Sequence, residues 1–117
     1  MPVIQRNYTH PYIFYVGGLS MAKESNFQKQ LIREIGSRFP DSIVIKNDSS
    51  YIQGIPDLLI LNGKHWAALE CKRSENASHQ PNQDWYVKKM NEMSYAGFVY
   101  PENKEQIFYE LEQAFKS

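Results

Sequence analysis

Two apolar runs, Ile55 to Leu61 and His65 to Cys71, are separated by Asn62-Gly63. This spacing constrains the chain more than any other feature. Asn-Gly between such runs is a strong hairpin signal, because both residues tolerate positive φ. The hairpin gives the middle of the chain two neighbouring antiparallel strands. Around it the pattern alternates between helix and strand. Phe27, Leu31, Ile32 and Ile35 recur at helical spacing, which predicts a helix from Lys23 to about Arg38 that ends at Gly36 or Pro40. Ile43-Val44-Ile45 reads as a short strand, and Asn47 to Gln53 as a polar connection. Gln80-Pro81-Asn82-Gln83 opens a second helix that runs to about Ser94, with Pro81 tolerated in its first turn and Gly97 breaking it. Phe98-Val99-Tyr100 is a further strand. Asn103 then caps a last helix whose apolar face carries Ile107, Phe108, Leu111, Ala114 and Phe115.

The order is helix, three strands, helix, strand, helix, which predicts an α/β domain with helices flanking a central mixed sheet. A length of 117 residues suits one compact domain, and a hydrophobic fraction of 42% is enough to fill a core. Residues 1–20 stand apart, being aromatic and free of acidic residues, with a Gly17-Gly18 break. Their run Tyr12 to Val16 reads as a strand, as a dimerisation arm, or as sequence upstream of the true start if Met21 is the initiator. The domain is expected to span 21–117.

Thirteen basic residues balance thirteen acidic ones, unlike a protein whose main task is to coat nucleic acid. Net charge hides local distribution, so an acidic centre rimmed by Lys and Arg remains compatible. No run of eighteen apolar residues exists to span a membrane, and the start lacks the pattern of a secretory signal. A single cysteine allows no internal disulfide, so an intracellular, cytoplasmic setting is expected. His10, His65 and His79 show no zinc spacing, and no glycine-rich phosphate loop or nucleophile elbow is present.

The chemistry concentrates in Gly54-Ile55-Pro56-Asp57 and Glu70-Cys71-Lys72. Alternate residues of a strand share a face, so Glu70 and Lys72 project the same way, and Asp57 opens the preceding strand. Two carboxylates on neighbouring strands suit one hard divalent cation such as Mg²⁺ or Mn²⁺, with the Cys71 carbonyl as a further oxygen donor. Such an ion polarises a phosphodiester, and Lys72 beside it orients water and stabilises the charge that builds on the phosphate. Burying a carboxylate and an ammonium at the end of an apolar strand is expensive, a break in pattern expected where function overrides stability. The bland alternative is a surface Glu70–Lys72 pair at a fraying strand end.

At these residues the sequence resembles the PD-(D/E)XK nuclease superfamily, and in particular its small VRR-NUC-type members, common in phages. The resemblance rests on Glu24, Gly54-x-Pro56-Asp57, Glu70-x-Lys72 and Gln83, and runs from about Glu24 to Tyr100. It implies a restriction-endonuclease-like αβββαβ core followed here by a C-terminal helix. It implies that Asp57 and Glu70 bind the metal, that Lys72 is catalytic, and that Glu24 is an auxiliary acid near the metal. Gln83 would support the active site, whereas without the resemblance Glu24 and Gln83 read as ordinary first-turn helix residues. Gln28, on the same helix as Glu24, is a weaker candidate.

Lys64, Arg73, Lys88 and Lys89 lie near these residues in sequence and are candidate phosphate contacts, although a solvated helix face explains Lys88 and Lys89 equally well. Trp85 and Tyr86 read as core or interface packing more readily than as base-stacking groups. The expected function is a Mg²⁺- or Mn²⁺-dependent endonuclease acting on DNA, selective for a branched junction, flap or nick. A homodimer would place two active sites on two strands, as junction resolvases of the superfamily do. In a phage protein the setting would be the host cell cytoplasm. The rival is a non-catalytic nucleic-acid-binding or assembly domain on the same scaffold.

Overall fold

A computed structural model describes residues 19–116, with side chains from Glu24 onward. The strand or arm expected at Tyr12 to Val16 lies outside the described residues. Helix α1 spans Leu19–Arg38. It starts earlier than the Lys23 expected from the periodicity and runs through Gly36. Pro40 is the terminator, since the residue before a proline is pushed out of helical geometry. Its buried stripe is the expected one of Phe27, Leu31, Ile32 and Ile35.

Strands β1 (Ile43–Lys46), β2 (Leu58–Asn62) and β3 (His65–Cys71) form an antiparallel meander. The hairpin is present, but its ladder closes on Asn62↔His65, so the two connecting residues are Gly63 and Lys64. Only Gly63 has positive φ, at 61°, which is the role of glycine at the first position of a two-residue hairpin turn. Strand β2 begins three residues later than the apolar run suggested. Pro56 has no N–H to give a ladder, and residues 48–55 are taken up by turns. Tyr51 N–H donates to the Asp48 carbonyl, Ile55 N–H to the Ile52 carbonyl, and Asp48 Oδ1 accepts both the N–H and the hydroxyl of Ser50.

Helix α2 (Pro81–Met93) is the crossover to β4 (Tyr95–Val99), which pairs with β3 in parallel. Gly97 therefore does not end the helix. It sits inside β4, which starts two residues after the last helical turn. The early start is held by Asn91 Oδ1, which accepts the Ala96 N–H at 3.0 Å. A 3₁₀ turn (Pro101–Asn103) leads into α3 (Lys104–Lys116). Asn103 reaches backwards instead of capping α3: its Oδ1 accepts the Tyr100 N–H and its Nδ2 donates to the Phe98 carbonyl.

The sheet order is β1-β2-β3-β4. One face carries Val44, Leu58, Ile60, Ala67, Leu69, Cys71 and Val99, and packs against α1 and α3 through Leu31, Ile35, Ile107, Phe108 and Leu111. The other face is covered by α2 over Ala68 and Ala96, whose small side chains let Val87 approach. Lys104 and Arg38 pair with Glu34 and Glu105 at 2.6 and 3.0 Å and tie α1 to α3. No described helix is long and apolar enough to cross a membrane.

Candidate active site

The register settles how Asp57 and Glu70 stand to each other. Leu58 pairs with Leu69, so one step further along the antiparallel ladder Asp57 stands opposite Glu70. Residues opposite each other in a ladder project from the same face, here the face that α2 covers. Asp57 Oδ2 accepts the Cys71 N–H at 2.9 Å, which fixes its carboxylate against the end of β3. Lys72 follows on the same side, its N–H bonded to the Val99 carbonyl at 2.8 Å. Both side chains are buried, Glu70 at 4% and Lys72 at 7% exposure. A fraying surface pair is thereby excluded.

Gln83 joins the two. Its Oε1 accepts the Gln80 N–H at 3.0 Å and Lys72 Nζ at 2.7 Å, and its Nε2 donates to Glu70 Oε2 at 2.9 Å. The Gln80 N–H and the ammonium can only donate, so the amide oxygen must face them and the amide nitrogen must face the carboxylate. Lys72 Nζ also donates to the Ser78 carbonyl at 3.1 Å and lies 3.9 Å from Glu70 Oε2. The loop supplying Ser78 is held on the sheet by His79, which stacks on Phe98 at 4.0 Å and meets Asp84 Oδ1 at 2.9 Å.

Glu70 Oε1 is buried and has no hydrogen-bond partner among the described residues. Burial first, and the Asp57 charge second, push Glu70 up to about 8 from its ordinary 4.5. Burial likewise raises Asp57 to about 6, against the opposing hydrogen bond from Cys71. Glu24, half-buried on α1, is also raised by burial, and the charges of Lys72 and Arg73 act on it in the opposite sense. Among the described residues, no group of three or more His, Cys, Asp or Glu side chains converges on one metal position. The candidate donors are the paired carboxylates Asp57 and Glu70, with Glu24 near enough for its charge to act on both. That pair still fits a hard divalent cation: both ligands are carboxylates, and the orphaned Oε1 is an acceptor that the protein leaves unsatisfied.

Glu24, Lys72, Arg73, Gln80 and Gln83 line a cavity of about 250 Å³ beside this pair. Cys71 turns its thiol into the opposite core face, where burial raises it far above the ordinary range and Gln28 hydrogen-bonds it. Gln28 therefore packs behind the site. Arg73 is exposed at the mouth. Lys88 is exposed on α2 and paired with Glu92 at 3.3 Å, and Lys89 is exposed beside it. Lys64 sits in the hairpin turn, six strand residues and about 20 Å from Glu70 along β3. It is not brought to the site. Trp85, read from the sequence as packing, is 59% exposed and meets Tyr86 edge-on at 4.9 Å.

Sequence reasoning missed Lys46. Its amine faces the Asp57 charge, and burial holds it below its usual range. The signal was present in the same form as Glu70, a charge ending an apolar strand. It also missed the Ser78 carbonyl, which no side-chain pattern announces. Gly54 was read as a chain turn, and its φ of 92° agrees. It also lets the 48–55 loop dock on α2, since a Cβ there would stand 2.4 Å from Asn82 Cβ and 2.9 Å from the Asn82 carbonyl carbon. Gly54→Ala is expected to lower unfolding stability by more than about 2 kcal/mol through strain and overlap, read from urea denaturation.

No family profile matches the sequence, and no curated protein matches it. Among solved structures, a VRR_NUC domain superposes with a TM-score of 0.60 at 22% identity, over 74% of this chain and 95% of that one. Archaeoglobus fulgidus Hjc, a Holliday junction resolvase from an archaeal hyperthermophile, aligns with a TM-score of 0.45 at 15% identity, over 65% of this chain and 67% of that one. The four-stranded mixed sheet, its αβββαβ order and this likeness identify the fold as that of a VRR_NUC domain, the restriction-endonuclease-like core expected from the sequence.

Proposed function

We propose that this chain is a divalent-metal-dependent endonuclease that hydrolyses DNA phosphodiester bonds at branched, flapped or nicked sites. The observation that carries the reading is the Asp57–Glu70–Lys72 group, with Glu70 and Lys72 buried and Asp57 half-buried, in which Glu70 Oε1 lacks a partner among the described residues. A carboxylate oxygen left unpaired in the interior costs several kcal/mol unless a cation meets it or the group takes up a proton. Asp57 and Glu70 would hold Mg²⁺ or Mn²⁺, with the Cys71 carbonyl as a further donor and Glu24 an auxiliary acid near the ion directly or through water; when bound, such an ion would supply polarisation of the phosphate and a lowered pKa for water.

The protein's own groups do the rest. An ammonium has three N–H donors, and Lys72 spends two on Ser78 and Gln83. The third is left for the attacking water or a nonbridging phosphate oxygen at the cavity. Gln83, anchored by the Gln80 N–H, holds both Lys72 and Glu70 and so acts as a positioning residue. Arg73 at the mouth takes a neighbouring phosphate, with Lys88 and Lys89 as outer contacts on α2. Lys64 meets the backbone only of a duplex laid along β3. The described residues are almost all core elements, so selection rests on backbone shape, and a homodimer would present two such centres to two strands.

Supercoiled plasmid, linear duplex, a four-way junction and a flap, each with Mg²⁺, Mn²⁺ or EDTA, test the proposal. Metal-dependent cutting is expected, with the branched substrates favoured at least about tenfold over linear duplex. Binding without cutting in either metal would replace it with a non-catalytic DNA-binding role.

A further inference from the structure

Gln80 and Gln83 are a partition between two cavities. On one side lies the charged space of Glu24, Lys72 and Arg73. On the other is a larger one of about 580 Å³, walled by Ser49, Ser50 and Gln53 of the loop before β2 and by Asn82 at the start of α2. Among the described residues, no charged side chain lines the second cavity. A phosphate would be poorly served there, because backbone anions are met by Lys, Arg or clustered N–H groups. Neutral amides and hydroxyls offer paired donors and acceptors, which suits the hydrogen-bonding edge of a nucleobase.

Two exposed aromatic residues stand close to lining residues of this cavity along the chain. Tyr51 adjoins Ser50 at the tip of the loop and is 85% exposed. Trp85 lies one helical turn beyond Asn82 on the same side of α2 and is 59% exposed. Exposed rings near an open space with room to admit a base are the elements of a stacking platform for an unpaired strand. The walls are held in place. Gly54 abuts Asn82, the Asp48 side chain fastens Ser50, and the Asn47 amide donates to the Pro56 carbonyl at 2.8 Å.

We propose that this neutral cavity receives one unpaired nucleobase next to the scissile phosphate, while the charged cavity holds the phosphate itself. The substrate is then a strand with an unpaired nucleotide at the cut, as at a flap, a gap or the edge of a junction. A base inside an intact duplex is stacked, with its pairing edge engaged, and would have to be flipped out to enter. The inference rests on the nuclease reading and narrows its substrate class.

A flap series carrying one abasic nucleotide at each successive position around the cut, assayed with Mg²⁺, tests it. Loss of the base at a single position adjacent to the cut is expected to slow cleavage about tenfold, with neighbouring positions changing far less. In Asn82→Ala and Trp85→Ala the ratio of intact to abasic rate at that position should fall towards one. Asn82→Ala keeps the Cβ that packs on Gly54, and Trp85→Ala changes an exposed position, so a melting curve for each confirms that the fold is retained. Metal-dependent cutting equally fast at every abasic position overturns the base subsite and leaves the nuclease standing. So does a position effect that neither variant alters. No cutting of any substrate in the series, with either metal, overturns the nuclease reading and this one with it.

Discussion

Lys72→Ala is expected to lower the metal-dependent cleavage rate by at least about a thousandfold, with substrate binding changed much less, because removing a preorganised charge from a buried reaction centre costs about that much. The ammonium is 7% exposed and its position is fixed by three groups: the Ser78 carbonyl, the Gln83 amide oxygen and, at 3.9 Å, Glu70. Lys72→Arg should fail to rescue. The site is shaped for a compact point charge, and a planar guanidinium would have to displace Gln83 or the 72–80 loop. Gln83→Ala should fall between the unmodified protein and Lys72→Ala, since it frees Lys72 without removing it. Single-turnover cleavage against filter-binding affinity separates the cases. Equal losses of binding and of rate in Lys72→Ala would mean that the lysine only holds DNA.

The second large effect concerns Glu70→Gln, which is expected to abolish cleavage yet stabilise the metal-free protein at alkaline pH. Folding raises Glu70 to about 8 from 4.5 and Asp57 to about 6 from 3.8, chiefly by burial. Both folded values exceed the unfolded ones, so the native state binds protons more tightly. The resulting stabilisation is complete below pH 4 and is lost as pH rises through about 6 and then about 8. Metal-free protein should therefore melt several degrees lower at pH 8.5 than at pH 5. Glu70→Gln should remove most of that difference. Mg²⁺ or Mn²⁺ should raise the melting temperature of the unmodified protein at pH 8.5, because a cation binds the ionised carboxylates of the native state, and should leave that of Glu70→Gln unchanged. Melting curves in EDTA and in metal at the two pH values read all three effects. A metal-induced rise that survives in Glu70→Gln would place the cation elsewhere.

The fold was legible where local chemistry is decisive. Alternation, helical spacing and the glycine turn carried the element order, because each is a property of a few adjacent residues and of the backbone geometry they prefer. Pattern failed at boundaries set by distant partners. Gly97 looked like a helix stop, but its place is decided by pairing to β3. Ile55 and Pro56 looked like strand, but the turns that bring the 48–55 loop onto α2 claim them.

The candidate centre divides the same way. The sequence by itself determined that a carboxylate and an amine, two residues apart, end an apolar strand, and that an aspartate opens the one before it. Only the tertiary structure decided that Asp57 and Glu70 stand opposite each other, since a slip of one residue would have sent one of them to the other face. It also decided that Gln83 bridges Glu70 and Lys72, that Lys64 stands at the far end of the hairpin, and that Trp85 faces outward. Strand alternation is written in neighbouring residues. Which helix turn meets which strand end is set by packing between segments far apart in the chain, and no local pattern records it.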